Sequence, residues 1–256
     1  MTQKGWSQEI GLSDWGEYTE FVRDVLADGH NGRALNTLWF RGQGDADWPL
    51  IASFDRIFGQ VAGRLRAKVY DSMIDVFRER SALLGSVADM GHEELICVMQ
   101  HYGAPTRVLD WSGSPYVAAY FAFASAGSMG VERSDSECAV FILNADPELF
   151  KGFHTVKLIN TIAHENPRAV AQRGRFTLNL SSETDLVAEL GNLSAAGRED
   201  DSWVITKITL PRGDASLALR DLELMGLSSE SLFPGLEGVA RYSFFRALDM
   251  AGLLDG

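Results

Sequence analysis

Three short segments carry side chains suited to chemistry. In Trp39-Phe40-Arg41-Gly42-Gln43-Gly44 an arginine follows an apolar run and glycines follow the arginine. A guanidinium held beside exposed backbone N–H groups suits a phosphate or a carboxylate, which it can grip with two N–H groups at once. The same pattern also fits a structural arginine paired with a buried aspartate.

The second segment runs from Gln100 to Pro115, QHYGAPTRVLDWSGSP. It combines a tight turn, a short strand and a helix start. Ser112 and Ser114 stand where that helix opens, and helix N-termini favour anions. His101, Thr106, Arg107 and Asp110 are more polar groups than a short buried segment carries without partners. The plainer alternative is helix capping by Ser114 plus an ion pair, Arg107–Asp110 or Arg41–Asp110. Tyr116, Tyr120, Phe121 and Phe123 on the next helix read as core before they read as a ligand clamp.

The third segment is Arg168 to Phe176, RAVAQRGRF. Gln172 precedes an Arg-Gly turn, and Arg168, Arg173 and Arg175 make a local positive patch. A solvated surface turn explains the same residues. Other familiar chemistries lack their residues. There is no phosphate-cradling P-loop, no complete dinucleotide fingerprint, no G-x-S-x-G elbow and no C-x-x-C pair. The histidines His30, His92, His101, His154 and His164 show no metal-ligand spacing, so no metal is expected.

These segments need elements to hold them. Asp14 to Leu26 places Trp15, Tyr18, Phe21, Val22 and Val25 at helical spacing, with Ser13 as the N-cap. Thr37 to Phe40 reads as a buried strand ending at Arg41, and Gly42 to Asp55 as a loop. Val61 to Leu84 reads as a long helix with Leu65, Val69, Met73, Val76 and Phe77 inward. Glu93 to His101 is helical and stops at Gly103-Ala104-Pro105. Arg107 to Trp111 is extended, and Pro115 opens a helix to about Ala126. Ala139 to Leu143, Arg175 to Leu180 and Trp203 to Leu210 read as strands. Helices are expected over Thr184–Leu190, Ala215–Met225 and Gly238–Leu248, while Asn166–Gly174 stays ambiguous. Gly127 to Glu137 is a polar loop and the best internal boundary. Without a steady βαβ beat, the chain is expected to be α+β, a mixed or antiparallel sheet flanked by helices.

Composition narrows the setting. The chain has 256 residues, 46% of them hydrophobic, enough to bury a sizeable core without metal or disulfide. Its net charge of −12 argues against a general nucleic-acid binder but leaves room for a local basic site. Two cysteines, Cys97 and Cys138, exclude a disulfide-rich secreted scaffold. No signal peptide or membrane span is read, so a soluble cytoplasmic protein is expected.

Taken together, the three segments resemble the FRG domain family, named for its Phe/Tyr-Arg-Gly motif. The resemblance rests on Phe40-Arg41-Gly42-Gln43, on Gln100 to Pro115 with Ala118, Tyr120, Phe121 and Ala122, and on Gln172-x-Gly174-x-Phe176. Ser231 to Gly238, SLFPGLEG, matches a segment near the end of such domains. It implies a single FRG-type domain over 1–256, with an N-terminal helical segment at 1–34 and a core at 35–250.

The order of the motifs is also similar to ADP-ribosyltransferases of the Arg–Ser–Glu type. That likeness implies an ADP-ribosyltransferase-like fold with NAD as co-substrate. Arg41, Ser112 and Gln172 would be catalytic. Arg41, Gly42, Gln43, His101, Thr106, Arg107, Asp110, Ser114, Tyr120 and Phe121 would bind the cofactor. Arg41 would hold the NAD phosphate, and Ser112 or Ser114 would order the first motif and the nicotinamide ribose. Tyr120 or Phe121 would stack on the nicotinamide, and Asp110 would position Arg41 or Arg107. Gln172 stands where the family has Glu. It can hydrogen-bond a ribose hydroxyl but cannot act as an anion or base. Glu165, Glu183 or Glu189 would have to supply that function. The implied activity is ADP-ribosyl transfer to RNA, DNA or protein by a bacterial toxin or anti-phage effector with an antitoxin partner. The alternatives are an NAD glycohydrolase and a non-catalytic nucleotide- or partner-binding module.

Overall fold

A computed structural model describes residues 3–27, 35–84, 89–125, 136–151, 153–160, 166–195 and 203–252. Its frame is an eight-stranded sheet with helices on both faces. The strands are β1 (Gln3–Lys4), β2 (Ser7–Gly11), β3 (Leu38–Gln43), β4 (Val108–Ser112), β5 (Glu137–Asn144), β6 (Val156–Ile159), β7 (Gly174–Asn179) and β8 (Ile205–Pro211). They lie in the order β1-β2-β8-β5-β3-β4-β7-β6. Every described pair is antiparallel except β2 with β8. The expected mixed sheet flanked by helices is therefore present.

Strand β5 is central because its sequence, CAVFILN after Glu137, is buried on both faces. Period-two alternation then sorts the neighbours. Leu38, Phe40, Val140, Ile142, Ile208 and Leu210 face one core, and Trp39, Phe141, Leu143 and Ile205 face the other. The first core is covered by helices α1 (Trp15–Ala27), α5 (Pro115–Ser125) and α9 (Ala215–Leu224). A third cluster packs α2 (Ser53–Phe58), α3 (Gly63–Ala82) and α4 (His92–His101) against Val108, Phe176 and Leu178.

Several expectations need correction. The N-terminal segment carries β1 and β2 before its helix, and β2 joins the sheet against β8. Its sequence, SQEIG, has one large apolar residue and so no alternation to announce a strand. Asp14, not Ser13, caps α1: the helix starts at Trp15, so Asp14 Oδ1 accepts the Glu17 N–H at 2.8 Å. The expected loop from Gly42 to Asp55 begins with the end of β3 and ends inside α2. On α3, Leu65 and Val76 are exposed, and the buried residues are Arg66, Tyr70, Ile74 and Ser81. The helix is rotated toward Asp55, which draws Arg66 inward. Strand β6 is a further addition: Lys157 interrupts the apolar residues of VKLI, which leaves no clear strand pattern. The ambiguous stretch resolves into α7 (Pro167–Ala171) and a turn. The remaining helices are α6 (Pro147–Phe150), α8 (Leu186–Ala195), α10 (Ser229–Leu232) and α11 (Leu236–Met250). Of the expected boundary loop, 127–135 lie outside the described residues. Among the described residues, no helix is long and apolar enough to cross a membrane.

Candidate functional site

The sheet is nearly split in two. Strands β3 and β4 pair at one position, Phe40 opposite Ser112, whereas β3 pairs with β5 along its whole length. Beyond that pair, toward Arg41 and Asp110, β3 and β4 part. The gap opens into a cavity of about 630 Å3, with α5 on one side and α2, α4 and α7 on the other. It falls within the usual size range of small-molecule sites.

Arg41 reaches across the split. Its Nη1 donates to the backbone carbonyl of Asp110 at 2.6 Å, where a ladder hydrogen bond would otherwise lie. Arg41 Nε is buried without a partner among the described residues. Burial lowers the guanidinium pKa, Asp110 raises it, and Arg56 lowers it again. The group still stays charged in the ordinary pH range.

Gly42 is required for a different reason. A Cβ there would stand 1.9 Å from the Ala118 carbonyl oxygen and 2.5 Å from the Ala122 amide nitrogen. The glycine, together with Ala118, Ala119 and Ala122, lets α5 lie directly on β3. The helix opens as expected, with Pro115 in its first turn and Ser114 Oγ accepting the Val117 N–H at 3.4 Å.

Asp110 stands on the cavity wall, open to solvent yet crowded by protein. Gln100 Nε2 donates to its Oδ1 at 2.7 Å. Thr106 Oγ1 donates to Gln100 Oε1 at 2.5 Å and accepts the Val108 N–H at 3.3 Å. These bonds fix which way the Gln100 amide faces. Partial desolvation raises the Asp110 pKa above the ordinary carboxylate value, while Arg41, Arg168 and Gln100 oppose the rise. The turn that delivers this strand ends α4 in a Schellman arrangement. Gly103 is at φ +85°, and Ala104 N–H donates to the Met99 carbonyl at 2.9 Å.

The third segment is tied to the second. Ser112 Oγ donates to the Gln172 carbonyl at 2.7 Å and accepts the Ser114 N–H at 3.0 Å. Gly113 N–H donates to the Arg173 carbonyl, and Arg173 itself takes a left-handed φ of +49°. The Gln172 side chain donates to the Leu232 carbonyl at 3.0 Å, which brings SLFPGLEG to the site. Phe233 is then held between the guanidiniums of Arg168 and Arg241, at 4.6 and 4.4 Å from its ring centre, and meets Phe121 edge-on.

Of the residues expected at the site, Arg41, Gly42, His101, Asp110, Ser112, Phe121 and Gln172 line the cavity. Others turn elsewhere. Arg107 Nε donates to Asp55 Oδ2 at 2.9 Å, and its Nη2 reaches the Ser181 carbonyl. It pairs with neither Asp110 nor the cavity. Gln43 closes its own loop by donating to the Trp48 carbonyl at 2.8 Å. Tyr120 donates to Ser229 Oγ at 2.9 Å in the core. Thr106 acts on the site through Gln100, and Ser114 caps α5. Ser112 orders the third motif, whereas the resemblance assigns it to the first. Glu189 is buried and accepts from Thr155 Oγ1, Glu183 accepts the Asp185 N–H, and Glu165 lies outside the described residues.

The cavity also gains residues that no motif pointed to. Ser53 and Arg56 come from α2, Cys97 from α4 and Asn166 from the cap of α7. Arg168 was visible as part of a basic patch but not as a cavity residue. Burial pushes the Cys97 thiol up to about 12, helped by Asp110, Glu93 and Glu94. Among the described residues, the charged side chains lining the cavity are therefore Arg41, Arg56 and Arg168 against Asp110, with Glu237 3.8 Å from Arg168 behind the lining. A positive pocket in a chain of net charge −12 is a place for an anion.

The geometry thus defines a polar cleft in a split sheet, lined mainly by cations. Residues 36–129 match the family profile of the FRG domain. That stretch holds Phe40-Arg41-Gly42 and the whole Gln100–Pro115 segment, while Gln172 and SLFPGLEG lie beyond it. No curated protein and no solved structure matches the chain.

Proposed function

We propose that the cavity binds NAD and that the protein transfers ADP-ribose from it to a macromolecule. One observation carries this reading. Three arginines and one carboxylate line a cavity at which the three motif segments meet, in a protein that is otherwise strongly acidic. Arg41 would grip the pyrophosphate while one of its N–H groups stays on the Asp110 carbonyl. Arg56 and Arg168 would flank the phosphates, and Phe121 would offer a ring to the nicotinamide. Breaking the nicotinamide–ribose bond builds positive charge on the sugar, so positioning and electrostatics do most of the work. An ADP-ribosyltransferase-like fold, a toxin or anti-phage role in the cytoplasm and an antitoxin partner accompany this reading. RNA, DNA and protein all stand as acceptors.

A second reading is a nucleotide-binding module without turnover. It is favoured by Gln172, whose amide is already committed to the Leu232 carbonyl. One experiment separates the two. Purified protein is incubated with NAD and mixed cellular RNA, DNA and protein, and nicotinamide release and NAD binding are both measured. Release that disappears in Arg41→Ala supports the transferase, and labelled product identifies the acceptor. Binding without release supports the module. Neither binding nor release overturns both.

A further inference from the structure

We propose that Asp110 is the carboxylate of the reaction, doing from β4 what a glutamate at the Gln172 position would otherwise do. The inference rests on the NAD reading above and deepens it.

The geometry singles out this side chain. Among the described residues lining the cavity, Asp110 is the carboxylate, and the other candidates are engaged elsewhere. Asp55 is enclosed by Arg107 and Arg66, Glu189 by Thr155, and Glu183 by the Asp185 amide. Asp110 presents Oδ1 to Gln100, its own backbone N–H lies against the carboxylate, and Oδ2 meets no donor of another described residue. That oxygen is not sealed off, since Asp110 is open to the cavity.

The surroundings hold it in place. The chain Val108 N–H to Thr106 to Gln100 to Asp110 donates in one direction throughout, so the amide of Gln100 always shows its N–H to the carboxylate. The backbone carbonyl of the same residue anchors Arg41. The group that would hold the phosphate and the group that would face the sugar are thereby set from one residue.

The reaction balances as follows. The bond between ribose C1′ and the pyridinium nitrogen breaks, and its electron pair goes to that nitrogen, giving neutral nicotinamide. The anionic Oδ2 faces the resulting sugar cation. A lone pair of an acceptor hydroxyl or amine forms the new bond at C1′. The acceptor's proton passes to Oδ2 and then to water. Crowding by the cavity wall raises this carboxyl pKa above the ordinary carboxylate value, which suits it to take a proton.

The test compares wild type, Asp110→Asn and Asp110→Glu for NAD binding, nicotinamide release and thermal stability. Asparagine keeps the shape and leaves the carbonyl that holds Arg41 untouched. Asp110→Asn is expected to bind NAD within about threefold of wild type but to release nicotinamide about 100-fold more slowly. Asp110→Glu, which restores a carboxylate, is expected to recover part of that rate and also covers a misfolded asparagine variant.

The pH profile adds a second readout. Arg41 faces Asp110 from β3, Arg168 from α7, and Cys97 and Gln100 from α4, while Arg56 and His101 line the same cavity. Wild-type release should fall as pH drops through the raised carboxyl pKa, and the residual rate of Asp110→Asn should lack that limb. An acidic limb that survives in the variant belongs to another group and overturns the proposal. So does a wild-type rate in Asp110→Asn while the wild type turns over; the NAD reading then survives alone. Absence of release by the wild type overturns the NAD-transfer reading and this inference with it.

Discussion

Arg41 Nη1 lies 2.6 Å from the backbone carbonyl oxygen of Asp110, spanning the place where the sheet fails to close. A guanidinium can hold that carbonyl with one N–H group and still offer others to a phosphate, whereas an ammonium is a single point charge. Arg41→Lys should therefore fold and keep its charge but weaken NAD binding at least about tenfold, or about 1.4 kcal/mol. Calorimetric titration measures this. Undiminished affinity would remove Arg41 from the phosphate site.

Gly42 makes a different demand from its neighbour. The Cβ of an alanine at this position would meet the Ala118 carbonyl oxygen at 1.9 Å, and that atom belongs to helix backbone that cannot swing away. Gly42→Ala must push α5 off β3. A cost of about 3 kcal/mol is expected from such overpacking. For a chain of this size that corresponds to a melting temperature lower by roughly 10 °C, measurable by calorimetry. A change under about 2 °C would mean that the helix moves freely, against this account.

Much of the arrangement was legible because its causes are local. Pro115 after Ser114 announced α5, the apolar run of β5 announced a strand, and Thr37 to Phe40 announced β3, which runs on past Arg41 to Gln43. Gly103-Ala104-Pro105 marked the end of α4, and the φ of +85° at Gly103 shows the reason. What was not legible depends on partners far away in sequence. Arg107 and Asp110 are both polar residues of one motif, yet Arg107 turns to Asp55 and Asp110 to the cavity. Arg107 stands just before β4 and Asp110 within it, so strand alternation does not orient Arg107; Asp55 and the Ser181 carbonyl do. Ser53 stood near the end of a segment read as loop and Arg56 just beyond it, and nothing in their spacing announced α2. The SLFPGLEG segment was seen as a family mark. Its contact with Gln172 is a pairing that spans 60 residues of chain.

Asp55 holds two guanidiniums away from water. Its side chain is fully buried, with Arg107 Nε at 2.9 Å and Arg66 Nε at 3.6 Å. Asp55→Asn leaves both arginines buried without a counter-charge, so unfolding free energy should fall by about 3–5 kcal/mol in a urea titration. Below the transition, NAD affinity should stay near that of wild type. A selective loss of NAD binding with unchanged stability would return Arg107 to the ligand site.

The thiols give a chemical check on burial. Cys97 and Cys138 are both pushed up to about 12, chiefly by desolvation. The reactive thiolate appears only as pH approaches that value, so at pH 8 both thiols remain protonated. Iodoacetamide at pH 8 should label the folded protein far more slowly than the protein in urea. Fast labelling of Cys97 in the native state would show that the cavity floor is open and its thiol activated.

Gln172 tests whether a missing glutamate can simply be restored. Its Nε2 donates to the Leu232 carbonyl at 3.0 Å, and its own carbonyl receives the Ser112 hydroxyl. Glutamate has no N–H at that place when ionised. Gln172→Glu would set a carboxylate oxygen against the Leu232 carbonyl oxygen and leave that carbonyl unsatisfied. Losing such a bond costs about 1–3 kcal/mol. Arg168 stands on α7, whose C-terminus Gln172 caps, and its charge does not replace the donor. The variant should therefore be less stable, and SLFPGLEG should exchange its amide hydrogens faster. Nicotinamide release, if the protein is a transferase, should fall rather than rise. A rise in turnover would mean that the catalytic carboxylate belongs at position 172, and Asp110 would lose the role assigned to it.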